Sequence, residues 1–434
     1  MLKDKIYVYP KGISGILLGE MIRQVEGENC EVIYIDDAIK GNTLEDLKDD
    51  IVAGGGCINL ANNEVIRANQ ETIKKIKKKL DNYKLSYKEH AFGEYSTKMV
   101  KKIEDDIMGL GWDKVIGIEL CGIAKDKHIG YLDNYLLENS DANLLYLCAT
   151  KSSLDNVLKR FLDNPLKHRI YAVCFPLEYT DKISFLKVLC KTSLNNNKNK
   201  NVPTFYLGHA LNDWSNVDME RYYEDKIDYL SLGLKKFSPK NLTSIKTIEC
   251  GYLGFDLIAK EIKLKSCKDS IVFAPYHEEE FFKFLPFMQE ILNKYRVIYR
   301  DRQFFEGRHL WIEANKKIKE LQKHPNFFIE GDWWMRGELY SRSFAFVGGI
   351  TTAINTFPVL ALAPSISDNK LLDLELGIRV EFEKDDLLEI VDDIYKNRLI
   401  WKEKLLSYRE QSFFNFGNAS EVLGEFIISN FLKL

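Results

Sequence analysis

Short apolar runs alternate with helical patterns along most of this 434-residue chain, and that alternation limits the fold more than any other feature. Strand-like runs stand at Lys5–Tyr9, Glu31–Ile35, Val115–Leu120, Leu144–Cys148, Ile170–Phe175 and Thr204–Leu207. Others follow at Asp228–Leu232, Ile245–Cys250, Ser270–Ala274, Arg296–Arg300, Phe327–Ile329 and Phe344–Val347. Helical periodicity separates them, for example at Ile16–Gln24, Ser153–Leu162, Asp181–Leu189 and Phe281–Leu292. Strands and helices in this order build parallel sheets covered on both faces, so the expected class is α/β. The length exceeds what one core holds. Three units are expected: a small Rossmann-like module over 1–92, a second domain over 93–225, and a third over 226–434 that ends in helices.

The totals remove several function classes. A net charge of −3 gives no global reason to expect nucleic acid. The eight cysteines form no C-x-x-C pair, and Cys148 and Cys174 lie inside apolar runs. That usage fits a reducing compartment. MLKDKIYVYP lacks a signal-peptide pattern, and no apolar run reaches the roughly 20 residues of a membrane helix. The expected location is the cytoplasm. Lys74, Lys75, Lys77, Lys78 and Lys79 cluster on one amphipathic helix within 69–89. The plain reading is a solvated face; the alternative is peripheral contact with the anionic inner face of a membrane.

Three places can carry chemistry. In the first unit, Lys11-Gly12-Ile13-Ser14-Gly15 follows a strand, and Asp36-Asp37 ends the next. This is half of a dinucleotide fingerprint, since the full G-x-G-x-x-G is not present. In the third unit, Phe344–Val347 leads to Gly348-Gly349, a helix opening on Thr351-Thr352, and a further strand expected at Val359–Ala363. Glycines admit a close ligand, and the first helical N–H groups are open to phosphate oxygens. Between these, Thr204–Leu207 delivers Gly208-His209 to a sheet edge, as Ser270–Ala274 delivers Tyr276-His277. A neutral imidazole there serves as general base near neutral pH. Arg300, Arg302, Arg308, Arg336 and Arg342 are the cations near the third unit's edge. They suit a diphosphate, or plain salt bridges with Asp301, Glu306, Glu330 and Glu338. The seven histidines show no metal-ligand spacing, so no metal site is expected.

In their order, these segments resemble the CDP-glycerol glycerophosphotransferase-like enzymes of teichoic-acid and capsule assembly. The resemblance covers roughly residues 200 to 370. It rests on Gly208-His209-Ala210-Leu211-Asn212, Asp228-Tyr229-Leu230, Gly251 to Asp256, Ala274-Pro275-Tyr276-His277, Glu338 to Ser343, Gly348 to Thr352, and Pro358 to Pro364. Two positions depart from the pattern. Arg300-Asp301-Arg302-Gln303 has no histidine, and Gly348-Gly349 replaces a Thr-Asp pair. The resemblance implies a GT-B fold, in which two Rossmann-like domains face a cleft. It implies a CDP-linked or other nucleotide-diphosphate donor, a glycan or lipid-linked glycan acceptor, and no separate cofactor. His209 and His277 are then the catalytic candidates. Gly349, Thr351, Thr352, Arg300, Arg302 and Ser341 would bind donor phosphate and nucleotide. Gly208, Asn212, Tyr276 and Gly251 would line the cleft. A glycosyltransferase using a nucleotide sugar has the same layout, and a non-catalytic scaffold keeps the fold alone.

Overall fold

The computed structural model describes residues 4–27, 30–62, 70–120, 128–160, 168–173, 183, 185–194, 201–208, 223–235, 244–262, 268–300, 311–330, 337–349 and 353–433. The first unit runs β1 (Asp4–Tyr9), α1 (Ile13–Glu26), β2 (Cys30–Tyr34), α2 (Leu44–Ala53), β3 (Ile58–Leu60), α3 (Gln70–Asn82) and β4 (Tyr87–Lys88). Its four parallel strands lie in the order β2-β1-β3-β4. Thr43 and Asp46 form a reciprocal capping box that starts α2. In α3, Ile73, Ile76 and Leu80 face the sheet. Lys74, Lys75 and Lys78 are exposed, while Lys77 pairs with Glu89 and Lys79 with Asp37. Asp37 also accepts from the Tyr9 hydroxyl and from the Leu44 N–H at 3.1 Å. The acidic pair counted in the half-fingerprint thus has Asp37 tied into the unit's own framework.

The second sheet follows α4 (Ala91–Leu110). It begins β5 (Val115–Leu120), α5 (Leu132–Asn139), β6 (Asn143–Cys148), α6 (Lys151–Arg160) and β7 (His168–Ala172). It continues β8 (Leu186–Lys191), β9 (Thr204–Tyr206), β10 (Tyr229–Ser231) and β11 (Lys246–Ile248). Seven parallel strands lie in the order β11-β10-β9-β8-β5-β6-β7. Two expectations change here. Leu186–Leu189, expected as helix, is central strand; it is buried except for Lys187, and over so few residues periodicity alone cannot separate the two states. The division expected at 225/226 cuts through this sheet, because β10 pairs with β9 through Tyr229↔Phe205 and carries β11 with it. A single hydrophobic core runs from Val8 of the first unit through α1, α4 and this sheet. On its far edge, Gln24 of α1 donates from Nε2 to the Ile170 carbonyl at 3.2 Å and accepts from the Ala172 N–H at 2.7 Å.

The third sheet follows α7 (Gly254–Glu261). It contains β12 (Ser270–Ala274), α8 (Glu278–Ile291), β13 (Arg296–Tyr299), α9 (Ile312–Leu321), β14 (Phe327–Ile329), α10 (Gly337–Arg342) and β15 (Ser343–Gly348). Then come α11 (Ala353–Ala361), β16 (Ser365–Ser367), β17 (Gly377–Arg379), α12 (Leu387–Lys396), α13 (Arg398–Ser412) and α14 (Ala419–Ile427), closed by a π-helical turn at Ile428–Leu432. The strand order is β14-β13-β12-β15-β16-β17, all parallel. Counted within the sheet this is 3-2-1-4-5-6, the Rossmann order. The second sheet has the same order extended by one strand. The chain then returns: Phe426 and Phe431 pack on Phe205 and Tyr229 of the second sheet, with ring centroids 5.7 to 6.2 Å apart. Two Rossmann-like sheets with a C-terminal helix crossing back make the GT-B plan, here with a small third unit in front.

The strand expected at Val359–Ala363 is instead the end of α11, and β16 begins at Ser365. These apolar residues are buried all round, so the sequence offered no polar face to reveal a helix. Leu362 closes α11 with φ +51°. The open carbonyls are held by two cations. Lys268 donates to Ala361 O, and Arg409 donates to Val359 O at 2.8 Å from Nε. Burial pushes the Lys268 ammonium down to about 7. Between that value and the ordinary 10.5, the unfolded chain holds a proton that the folded one has released. Stability should therefore rise from pH 7 to pH 9, by up to about 1.4 kcal/mol per unit. Urea titrations of the native chain and of Lys268→Met should show that slope only in the former.

Candidate functional site

In an open parallel sheet, ligands sit beyond the carboxyl ends of the strands, where the strand order reverses. In the third sheet that point lies between β12 and β15. β12 runs into Tyr276 and His277, and α8 starts directly after them. β15 runs into Gly348 and Gly349. The Tyr276 N–H donates to Glu280 Oε2 at 2.7 Å, which turns that carboxylate across the reversal point. A Cβ built on Gly349 would lie 2.0 Å from Glu280 Oε1. Only glycine fits there without moving the carboxylate. Asn369, beyond β16, donates from Nδ2 to the Gly349 carbonyl at 3.2 Å and fixes the corner from the other side.

His277 is exposed, makes no capping bond to α8, and lies edge-on to the Tyr276 ring at 4.6 Å. Arg300 follows β13, the next strand along, and its N–H donates to Phe273 O at 2.9 Å. Its charge reaches the hydroxyl of Tyr340, which burial pushes up. Tyr276, His277, Arg300 and Gly349 are thus brought to one edge. Ser341 is 2% exposed and belongs to α10, which leads into the amino end of β15. Arg342 pairs with Asp269 at 2.9 Å, at the opposite end of the strands.

The corresponding point of the second sheet lies between β5 and β8. Glu119 and Lys191 are register partners there, and both are fully buried. Thr192 donates from Oγ1 to the Glu119 carbonyl at 3.1 Å. Gly208 leaves β9 with φ +81°, two strands from β5, and its nearest neighbours are the Tyr252 ring and Ser231 Oγ. The Tyr252 hydroxyl shares a 2.8 Å hydrogen bond with Nδ1 of His128, which is 1% exposed. Burial raises the Tyr252 hydroxyl, and the nearby phenols of Tyr206 and Tyr340 add to that. These phenols link the edge of the second sheet to the third unit. Gly251 has a different place. Its φ is +106°, and a Cβ there would lie 2.7 Å from Phe414 O and 2.9 Å from the Ala419 methyl. It seats the returning C-terminal segment rather than a ligand. His209, Asn212, Arg302, Thr351 and Thr352 lie outside the described residues.

Glu280, Glu119, Lys191 and His128 were not singled out by sequence. Glu119 and Lys191 stand at their strands' carboxyl ends, which was a usable signal; Glu280 and His128 come six and eight residues after theirs. What makes the place special is the strand order, and no local pattern records it. Among the described residues, no group of three or more acids, histidines or cysteines has the geometry to hold a metal ion.

No family model matches the sequence, and no curated protein matches it. Several solved structures are similar. The wall teichoic acid polymerase TagF is 15% identical over 74% of this chain and 90% of that one, with a TM-score of 0.46. The UDP-GlcNAc 2-epimerase from Neisseria meningitidis bound to UDP-GlcNAc is 12% identical over 73% and 100%, with a TM-score of 0.49. MurG from Acinetobacter baumannii is 10% identical over 74% and 100%, with a TM-score of 0.42. The fold assignment rests on the chain's own strand order. No helix among the described residues is long and apolar enough to cross a membrane.

Proposed function

We propose that this chain is a transferase of cell-surface polysaccharide assembly. It moves a phospho-alditol or related phosphoryl group from a CDP-linked donor to a glycan hydroxyl. The observation that carries the reading is the reversal point between β12 and β15, where Gly349 leaves room beside the Glu280 carboxylate. A carboxylate accepts the paired hydroxyls of a ribose and repels phosphate. The nucleoside therefore belongs beside Glu280. The diphosphate belongs toward Arg300 and the start of α11, where Thr351 and Thr352 stand in sequence. His209 takes the proton of the acceptor hydroxyl. The freed oxygen attacks the phosphorus that bears the alditol, and CMP leaves with its charge held by the helix start. Ribose hydroxyls are common to all nucleotide donors, so transfer of a sugar from a nucleotide sugar is the second reading.

A thermal-shift series separates these. CDP-glycerol, CDP, CMP, UDP, GDP and UDP-N-acetylglucosamine would each be added at rising concentration. A ligand at 100 times its Kd stabilises by about 2.7 kcal/mol, a shift of roughly 3 °C for a chain of this length. Cytidine compounds should give that shift. A response to UDP or its sugar alone would establish the second reading, and no response to any nucleotide would leave a scaffold. Gly349→Ala pushes Glu280 aside and should weaken nucleotide binding at least tenfold, with the melting temperature of the free protein little changed.

A further inference from the structure

The first unit contains a cavity of about 690 Å³, within the size range of small-ligand sites. It lies at the amino ends of β1 and β3, facing α1 and α4. The half-fingerprint at Lys11–Gly15 belongs to the opposite edge, so a nucleotide bound in the usual way would not enter it. Asn59 lines the cavity and is 4% exposed. Its Nδ2 donates to the Tyr7 carbonyl at 3.1 Å, which fixes the amide's orientation. Its Oδ1 is buried and has no donor among the described residues. A buried acceptor left open costs free energy, and the cavity far exceeds the room one water needs.

The surrounding charges narrow what supplies that donor. α1 ends at Glu26 and α2 at Ala53, so two helix carboxyl ends, with their negative partial charge, meet this edge. Asp4, Glu26 and Asp50 line the cavity, and so do Lys5, Lys88 and Lys98, the last held by Glu26 at 3.0 Å and Glu94 at 3.2 Å. Three carboxylates against three ammonium groups favour neither an anion nor a cation. What fits is a neutral molecule rich in hydroxyls, able to donate to Asn59 Oδ1 and Glu26 and to accept from Lys98.

We infer that this cavity binds a neutral glycan segment, making the first unit a carbohydrate-binding element of the chain. The inference does not depend on the donor or the reaction proposed for the other two units. Cys57 lines the cavity and is partly exposed, so its alkylation reports occupancy. The full chain would be treated with iodoacetamide, and modification at Cys57 followed by peptide mass mapping. Chitobiose, cellobiose, maltose and lactose would be present at up to 50 mM (roughly the upper limit for such weak ligands), with glycerol 3-phosphate and spermidine as charged controls. At least one neutral disaccharide should slow Cys57 alkylation saturably, and the controls should not. Asn59→Leu and, separately, Lys98→Met should each raise the half-protecting concentration tenfold or more. Lack of protection by all four disaccharides overturns the inference. So does protection by a charged control alone, or protection unchanged in the folded variants. If Asn59→Leu fails to fold, Lys98→Met and the labelling of the native chain decide.

Discussion

Replacing Asp256 by alanine is expected to destabilise the folded chain by about 2–4 kcal/mol and to lower its melting temperature by roughly 2–4 °C. Asp256 is 1% exposed and belongs to α7, between the second and third sheets. Its two carboxylate oxygens accept from the N–H groups of Ala419 at 3.2 Å and Ser420 at 2.7 Å, the first residues of α14. Ser420 in turn accepts the Tyr131 N–H on Oγ at 2.9 Å. A side chain distant in sequence thus caps the helix that crosses back to the second sheet. Alanine leaves two buried donors without an acceptor and removes a negative charge from a helix start. Asparagine keeps one acceptor and should cost less. Because α14 carries Phe426 to Phe205, the loss should also loosen the end of β9. Differential scanning calorimetry measures the first effect, and hydrogen exchange across 204–208 the second. An unchanged melting temperature in the alanine variant would show that solvent replaces the cap.

The second large effect concerns rate. His209→Ala should lower turnover about 10²- to 10⁴-fold, with nucleotide binding and melting temperature retained. The residue follows Gly208, whose positive φ turns the chain at the carboxyl edge of the second sheet. The native rate should rise with pH as the base loses its proton, and the variant's residual rate should not. Product formation in a single turnover, followed from pH 5.5 to 8.5, tests both parts. A folded variant with full turnover would remove His209 from the mechanism. His277 would then be the next candidate, on the donor's side of the site.

The sequence carried the alternation of strand and helix well, because buried parallel strands are continuous apolar runs between turn residues. It failed where a mostly apolar run was short, as at Leu186–Leu189, where Lys187 alone is exposed, and at Val359–Ala361, which is buried throughout. It also misassigned β10 and β11, since three-residue strands do not announce which sheet they join. The element Gly251 to Asp256 looked like part of a ligand site. Its first and last residues instead seat the returning C-terminal segment, an interaction across more than 160 residues that no local pattern encodes. Conversely, Glu280 is one of three acids in the first turn of α8, and nothing local separates it from the other two. Its place comes from β12 and β15 being neighbours.

Gln24 has a consequence for how the chain divides. β7 is the last strand of a seven-stranded sheet, and the bare backbone of such a strand invites pairing with another molecule. The Gln24 amide donates to one residue of β7 and accepts from the next but one, as a neighbouring strand would. A shortened protein beginning after the first unit would uncover this edge, together with the apolar surface that α1 covers. Such a shortened protein should therefore self-associate more than the full chain, a difference that light scattering of the two would show.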